Sequence, residues 1–133
     1  MIAGVADTHT VIWYLFDDAR LSAAAGTFID QTAANGERIG VSPITLAEIV
    51  YLLDKKKIPP TTYTEVRAAL MDPDHVFQEV PFSIEVVEAM RTVARNEVSD
   101  MPDRIVAATG VYFGVPVISR DGRIRAANLR TLW

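Results

Sequence analysis

Short apolar runs of strand length alternate with longer runs of helical period along this chain, and that alternation limits the fold more than any other feature. Residues 2–6 read as a buried strand, followed by a helical run through Val11, Ile12, Trp13, Leu15 and Phe16. Ser22 is placed to cap a helix through Ala25, Phe28 and Ile29 that stops near Asn35 and Gly36. Residues 38–42 form a second strand, and Pro43 suits the first turn of a helix through Leu46, Ile49, Val50 and Leu53, with Ser42 as its cap. Thr61 or Thr62 opens the next helix, which runs through Val66, Ala69 and Leu70 and ends at Asp72-Pro73-Asp74. Residues 76–80 make a third strand, and Ser83 caps a helix through Val86, Val87, Met90 and Val93. Pro102 begins a further helix through residues 105–113, where Ala107, Ala108, Thr109 and Gly110 are small enough for close approach to a sheet. Residues 115–119 give a fourth strand and residues 131–133 a short edge strand. Parallel neighbours need long, right-handed crossovers, so strands separated by helices predict a three-layer α/β/α fold. Its central sheet is short-stranded and mostly parallel, with helices on both faces.

The 133 residues suit a single domain spanning 1–133, and a hydrophobic content of 50% supplies its core and excludes intrinsic disorder. With no cysteine, the chain has no disulfide scaffold, no thiolate zinc site and no Cys nucleophile. Thirteen Lys and Arg against seventeen Asp and Glu give a net charge of −4, so the protein is not a basic coat for nucleic acid, and any polyanion must be met locally. No apolar stretch reaches the ~18 residues of a membrane helix. The apolar N-terminus lacks a basic region before it and reads as a strand rather than a signal peptide, so the expected location is the cytoplasm, with no membrane partner.

In doubly wound sheets, ligands bind beyond the carboxyl ends of the strands. Asp7 directly follows the first strand, Glu48 lies in the opening turns of the helix after the second, Asp103 stands in a first helical turn, and Asp121 comes two residues after Ser119 at the end of the fourth strand. All four therefore fall at one edge of the sheet. Acids clustered without basic partners repel one another. A cation relieves that repulsion, and all-oxygen ligation favours a hard ion such as Mg²⁺ or Mn²⁺. Most acids are solvated, and a first-turn Asp103 is already favoured by the helix dipole. Glu48, set among Leu46, Ala47, Ile49 and Val50, has no such local reason to be acidic.

Four segments together resemble PIN domains, and more closely toxins of the VapC type: Asp7-Thr8-His9-Thr10-Val11-Ile12-Trp13-Tyr14-Leu15, Val41-Ser42-Pro43-Ile44-Thr45-Leu46-Ala47-Glu48-Ile49, Asp103-Arg104-Ile105-Val106-Ala107-Ala108-Thr109 and Val117-Ile118-Ser119-Arg120-Asp121. The resemblance covers the chain in order and spacing. It implies a metal-dependent endoribonuclease in which Asp7, Glu48 and Asp103 hold the principal Mg²⁺ or Mn²⁺, and Asp121 helps to bind a second ion or a water. Thr8 and Ser119 would support the cluster as hydroxyl neighbours. Asp100 competes with Asp103 for the third position, and Asp103 fits better because it precedes the apolar Ile105-Val106-Ala107-Ala108 run. For His9 the expected role is structural or substrate-positioning, and His75 is expected to be solvated.

The resemblance also implies an RNA substrate, a VapB-type antitoxin and a homodimer. Among basic residues, Arg104, Arg120 and Arg123 flank the acids and are the expected RNA contacts. Trp13 and Tyr14 are expected in the core or a dimer interface, or beneath a stacked base if exposed. An apolar face around Trp13, Ile49, Val50 and Tyr51 is an expected groove for the antitoxin. Competing readings are a haloacid-dehalogenase-type phosphatase, a receiver-like binding module and a degenerate PIN scaffold without nuclease activity. The phosphatase needs a second Asp where His9 stands, and the receiver needs paired acids where Ala6 precedes Asp7.

Overall fold

Asp7, Ser22, Ser42, Ser83 and Asp100 each accept a backbone N–H at the start of a helix, so the helix starts are set by short polar side chains written into the sequence. The structure, a computed structural model, describes residues 1–96, 98, 100–126 and 129–133. Its elements run β1 (Ile2–Ala6), α1 (Thr8–Leu15), α2 (Ala23–Ala34), β2 (Arg38–Val41), α3 (Pro43–Asp54), α4 (Pro60–Met71), β3 (Phe77–Glu79), α5 (Ile84–Met90), α6 (Met101–Phe113), β4 (Val117–Ile118), α7 (Gly122–Ala126) and β5 (Thr131–Leu132).

The five strands form one sheet in the order β3-β2-β1-β4-β5, and every pairing is parallel. The chain builds outward from β1 through β2 to β3, then returns to place β4 on the other side of β1. Strand order therefore reverses between β1 and β4. Side-chain alternation along the strands feeds two cores. Ala6, Ile39, Val41 and Ile118 pack with Val11, Ile29, Ile49 and Val66 of α1 to α4. Val5 and Val117 pack on the opposite face with Val86 of α5, Val106 and Ala107 of α6 and Ile124 of α7. This is the expected three-layer arrangement, with a fully parallel sheet.

Several boundaries differ from the sequence reading, each for a local reason. Helix α4 opens at Pro60 with Pro59 in the capping position, so Thr61 and Thr62 lie inside its first turn; a fixed proline φ favours the first helical position. Helix α5 stops at Met90, and Val93 is buried in the following turn rather than on a third helical turn. Asp100 caps α6, which leaves Pro102 as its second residue. Strands β3 and β4 are shorter than the apolar runs that mark them, because a run signals burial and the ladder ends where the neighbouring strand ends. Helix α7 carries no periodic signal in the sequence, since five residues cannot display a helical period.

Helix α6 crosses β4 closely enough that a Cβ on Gly110 would lie 2.6 Å from Val117 Cγ2. Replacing a mid-helix glycine by alanine normally gains about 0.5–1 kcal/mol. Here overpacking outweighs that gain, and Gly110→Ala is expected to destabilise the fold by about 1–3 kcal/mol in urea unfolding. An unchanged or raised stability would show that α6 does not need this close approach.

Candidate active site

Asp7 directly follows β1, is buried, and is the N-cap of α1. Its Oδ1 accepts the Thr10 N–H at 2.9 Å and its Oδ2 accepts the Ser119 hydroxyl at 2.5 Å, while only 8% of the residue is exposed. A buried carboxylate needs such donors. Ser119 comes from the loop after β4, and its Oγ also accepts the Asp121 N–H at 3.0 Å. Thr10 closes the join by donating to the Ile118 carbonyl at 2.8 Å. On the other side of Asp7, the Thr8 hydroxyl donates to Glu48 Oε1 at 2.5 Å, with the buried Thr45 hydroxyl 3.3 Å away. The expected hydroxyl neighbours, Thr8 and Ser119, are thus both bonded to acids.

Asp7, Glu48, Asp103 and Asp121 all line one cavity of about 290 Å³, with Thr8 between the first two. His9, Trp13, Asp100 and Arg120 complete its wall. The carboxylates feel one another there. Burial is the main cause that raises the Asp103 pKa to about 7, and the charges of Asp121, Asp100, Glu48 and Asp7 add to it. Burial likewise raises Glu48, opposed by the Thr8 hydrogen bond and reinforced by the charge of Asp100. Among the described residues, no group of three or more acids or histidines is already gathered as a ligand set for one ion. What the fold fixes is their convergence on one cavity. The four carboxylates would still suit a hard divalent cation, since all offer oxygen and two of them are penalised for carrying charge.

The other expected residues divide. Arg120 lines the cavity. Arg104 turns inward instead, donating to the Met90 and Val93 carbonyls at 2.8 and 3.0 Å, and so ties the end of α5 to α6 rather than lining the cavity. Arg123 is exposed on α7 beside Asp121, whose Oδ1 accepts its backbone N–H at 2.8 Å. Trp13 is in the cavity wall, whereas Tyr14 points away and donates to Asp30 at 2.6 Å. The expected groove face is split, because Ile49 is fully buried while Val50 and Tyr51 are exposed. His75 is half-buried rather than solvated, its Nδ1 accepting the Phe77 N–H at 3.0 Å. Asp100, the rival of Asp103 in the sequence, lines the same cavity, and His9 and Trp13 join it there because they stand four apart on α1 and so share a helix face.

The PIN domain family model matches residues 5–128. The chain belongs to the PIN domain family. PIN domains are typically nucleases and generally use a divalent metal. Solved PIN-like structures share this fold at low identity. A chain of VapBC2 from Rickettsia felis, solved bound to a DNA fragment from its promoter, is 16% identical, with a TM-score of 0.70 over 98% of this chain and 97% of that one. FitAcB from Neisseria gonorrhoeae is 20% identical, with a TM-score of 0.61 and coverage of 96% and 95%. A toxin-antitoxin complex from Klebsiella pneumoniae is 22% identical, with a TM-score of 0.58 and coverage of 93% and 91%. No curated protein matches the sequence. Among the described residues, no helix is long and apolar enough to cross a membrane.

Because folding raises the Asp103 pKa, the folded PIN domain binds the extra proton across the window from the ordinary 3.8 to about 7. The penalty for its charge is absent below that window, grows as pH rises through it, and stands in full above it. In metal-free buffer at neutral pH, Asp103→Asn is therefore expected to stabilise the protein by on the order of 1–2 kcal/mol after allowance for solvent screening. The gain should vanish in acid. Urea unfolding at both pH values checks this, and equal effects at the two would remove Asp103 from the strained set.

Proposed function

We propose that residues 1–133 form a single PIN domain that hydrolyses RNA phosphodiester bonds with Mg²⁺ or Mn²⁺, as the toxin of a VapC-type toxin-antitoxin pair acting in the cytoplasm. The observation that carries this reading is the meeting of Asp7, Glu48, Asp103 and Asp121, from four separate parts of the chain, in one cavity where strand order reverses. Asp7, Glu48 and Asp103 would hold the principal ion, with Asp121 at a second ion or a water. A divalent ion in such a site lowers the pKa of a bound water and offsets charge on the phosphate.

The chain's own contribution is orientation. Asp7 cannot swing away, because both of its oxygens are held by donors from α1 and the β4 loop. Thr8 fixes the direction of Glu48 in the same way. Asp103, held at the start of α6, carries its charge reluctantly and gains most from a cation. Asp121, partly exposed where Asp7 is buried, would be the acid that takes a proton from an attacking water. Arg120 supplies positive charge in the wall, and Arg123 lies one turn beyond.

The fold shared with VapBC2 and with the Klebsiella pneumoniae toxin-antitoxin complex supports a VapB-type antitoxin as partner. Exposed apolar residues support a homodimer, notably Ile84 at 80% exposure with Phe82 and Val87 beside it.

Cleavage of RNA is expected to require Mg²⁺ or Mn²⁺, to stop with EDTA, and to fall by at least about 10²-fold in Asp7→Asn. Asp100→Asn should retain activity within about tenfold, since asparagine caps a helix as well as aspartate. Equal cleavage by wild type and Asp7→Asn, in preparations free of contaminating nuclease, would overturn the enzymatic reading.

A further inference from the structure

We propose that Arg120, propped on the Trp13 ring, is the platform on which a nucleobase next to the scissile phosphate stacks, so that it sets base preference as well as supplying charge. This rests on reading the site as a ribonuclease. Trp13 lines the cavity, yet only 7% of it is exposed, so its own ring has little face left for a base. Its surroundings account for that. His9 is tilted against it with centroids 5.3 Å apart, Trp133 meets it at 5.9 Å and 60°, and the guanidinium carbons of Arg20 and Arg120 lie over it at 5.1 and 5.4 Å.

The two arginines differ. Arg20 is pinned by Asp18, 2.7 Å from its guanidinium. Arg120 is exposed, and among the described residues no carboxylate lies within 4.0 Å of its guanidinium, although four acids share its cavity. Its backbone is fixed to the site on both sides. The Ser119 N–H donates to the Leu132 carbonyl at 3.2 Å, and the Asp121 N–H donates to Ser119 Oγ at 3.0 Å.

An exposed guanidinium held 5.4 Å from an indole centroid can turn its plane and an edge of N–H donors to a ligand. Unpaired RNA bases stack on such planes, and the edge matches a phosphate. With a net charge of −4, this protein gains little from general phosphate neutralisation, which leaves more of the affinity to a contact of this kind. Arg120 would touch the RNA, and Trp13 would be a positioning residue beneath it.

The test measures binding rather than cleavage. A labelled single-stranded oligoribonucleotide is titrated in Ca²⁺, which also accepts all-oxygen ligation, alongside a series carrying one abasic nucleotide at each position. Arg120→Ala and Arg120→Lys are both expected to weaken binding about 5–50-fold, because lysine keeps the charge and loses the plane. One abasic position should weaken wild type by a similar factor and leave the variants nearly unchanged. The chain's two tryptophans, Trp13 and Trp133, both lie in this stack, so intrinsic emission reports on it directly. Its change on RNA binding should disappear in Arg120→Ala. Wild-type affinity in Arg120→Lys, or the same abasic penalty in wild type and variants, would overturn the proposal while leaving metal-dependent cleavage untouched. A wild type that neither binds nor cleaves RNA would overturn the underlying reading as well.

Discussion

The join between β1 and β4 is the contact on which the rest of the molecule depends. The Asp7 N–H donates to the Ile118 carbonyl at 3.2 Å, Thr10 donates to the same carbonyl, and Ser119 donates to the Asp7 carboxylate. Backbone pairing alone would hold a two-residue strand weakly. Side-chain bonds around a buried carboxylate add direction, since a hydrogen bond to a charged group contributes about 1.5–3 kcal/mol. They also place the loop after β4, with Arg120 and Asp121, against the end of β1. The crevice opened by the reversal of strand order is thus lined from both of its sides by acids.

That placement sets stability against chemistry. Asp103 and Glu48 are half-buried among other carboxylates, and burial together with those charges raises the pKa of each. A protein selected for stability alone would fill these positions with neutral residues. Hydroxyl donors are used instead at Asp7 and Glu48, so the acids stay oriented while the repulsion persists. The negative composition, which at first discourages nucleic acid as a partner, is concentrated where a divalent ion would turn it into an attraction for phosphate.

Most of the fold was legible in the sequence because its signals are local. Capping residues at Ser22, Ser42 and Ser83, apolar runs of strand length and the small residues of α6 each declare themselves within a few positions. The four acids were legible for a related reason, since each follows a strand or opens a helix, and the parallel topology sends all such points to one edge. Arg104 and Arg120 show the limit. Both adjoin an acid in the sequence, yet one is spent on the carbonyls of Met90 and Val93 while the other stays at the cavity. Adjacency says nothing about the direction a side chain leaves the backbone.

Sequence by itself determined the α/β class, the helix starts marked by Ser22, Ser42 and Ser83, and the edge of the sheet at which Asp7, Glu48, Asp103 and Asp121 meet, because periodicity and capping depend on neighbours in the chain. Tertiary structure decided which groups surround those acids. The Ser119 bond to Asp7 spans 112 positions, and Trp133 reaches Trp13 from the far end of the chain. The pKa of Asp103, the inward turn of Arg104 and the exposure of Arg120 over Trp13 all follow from which elements pack together. Desolvation and through-space charge act over distances in space, and only the folded chain defines those distances.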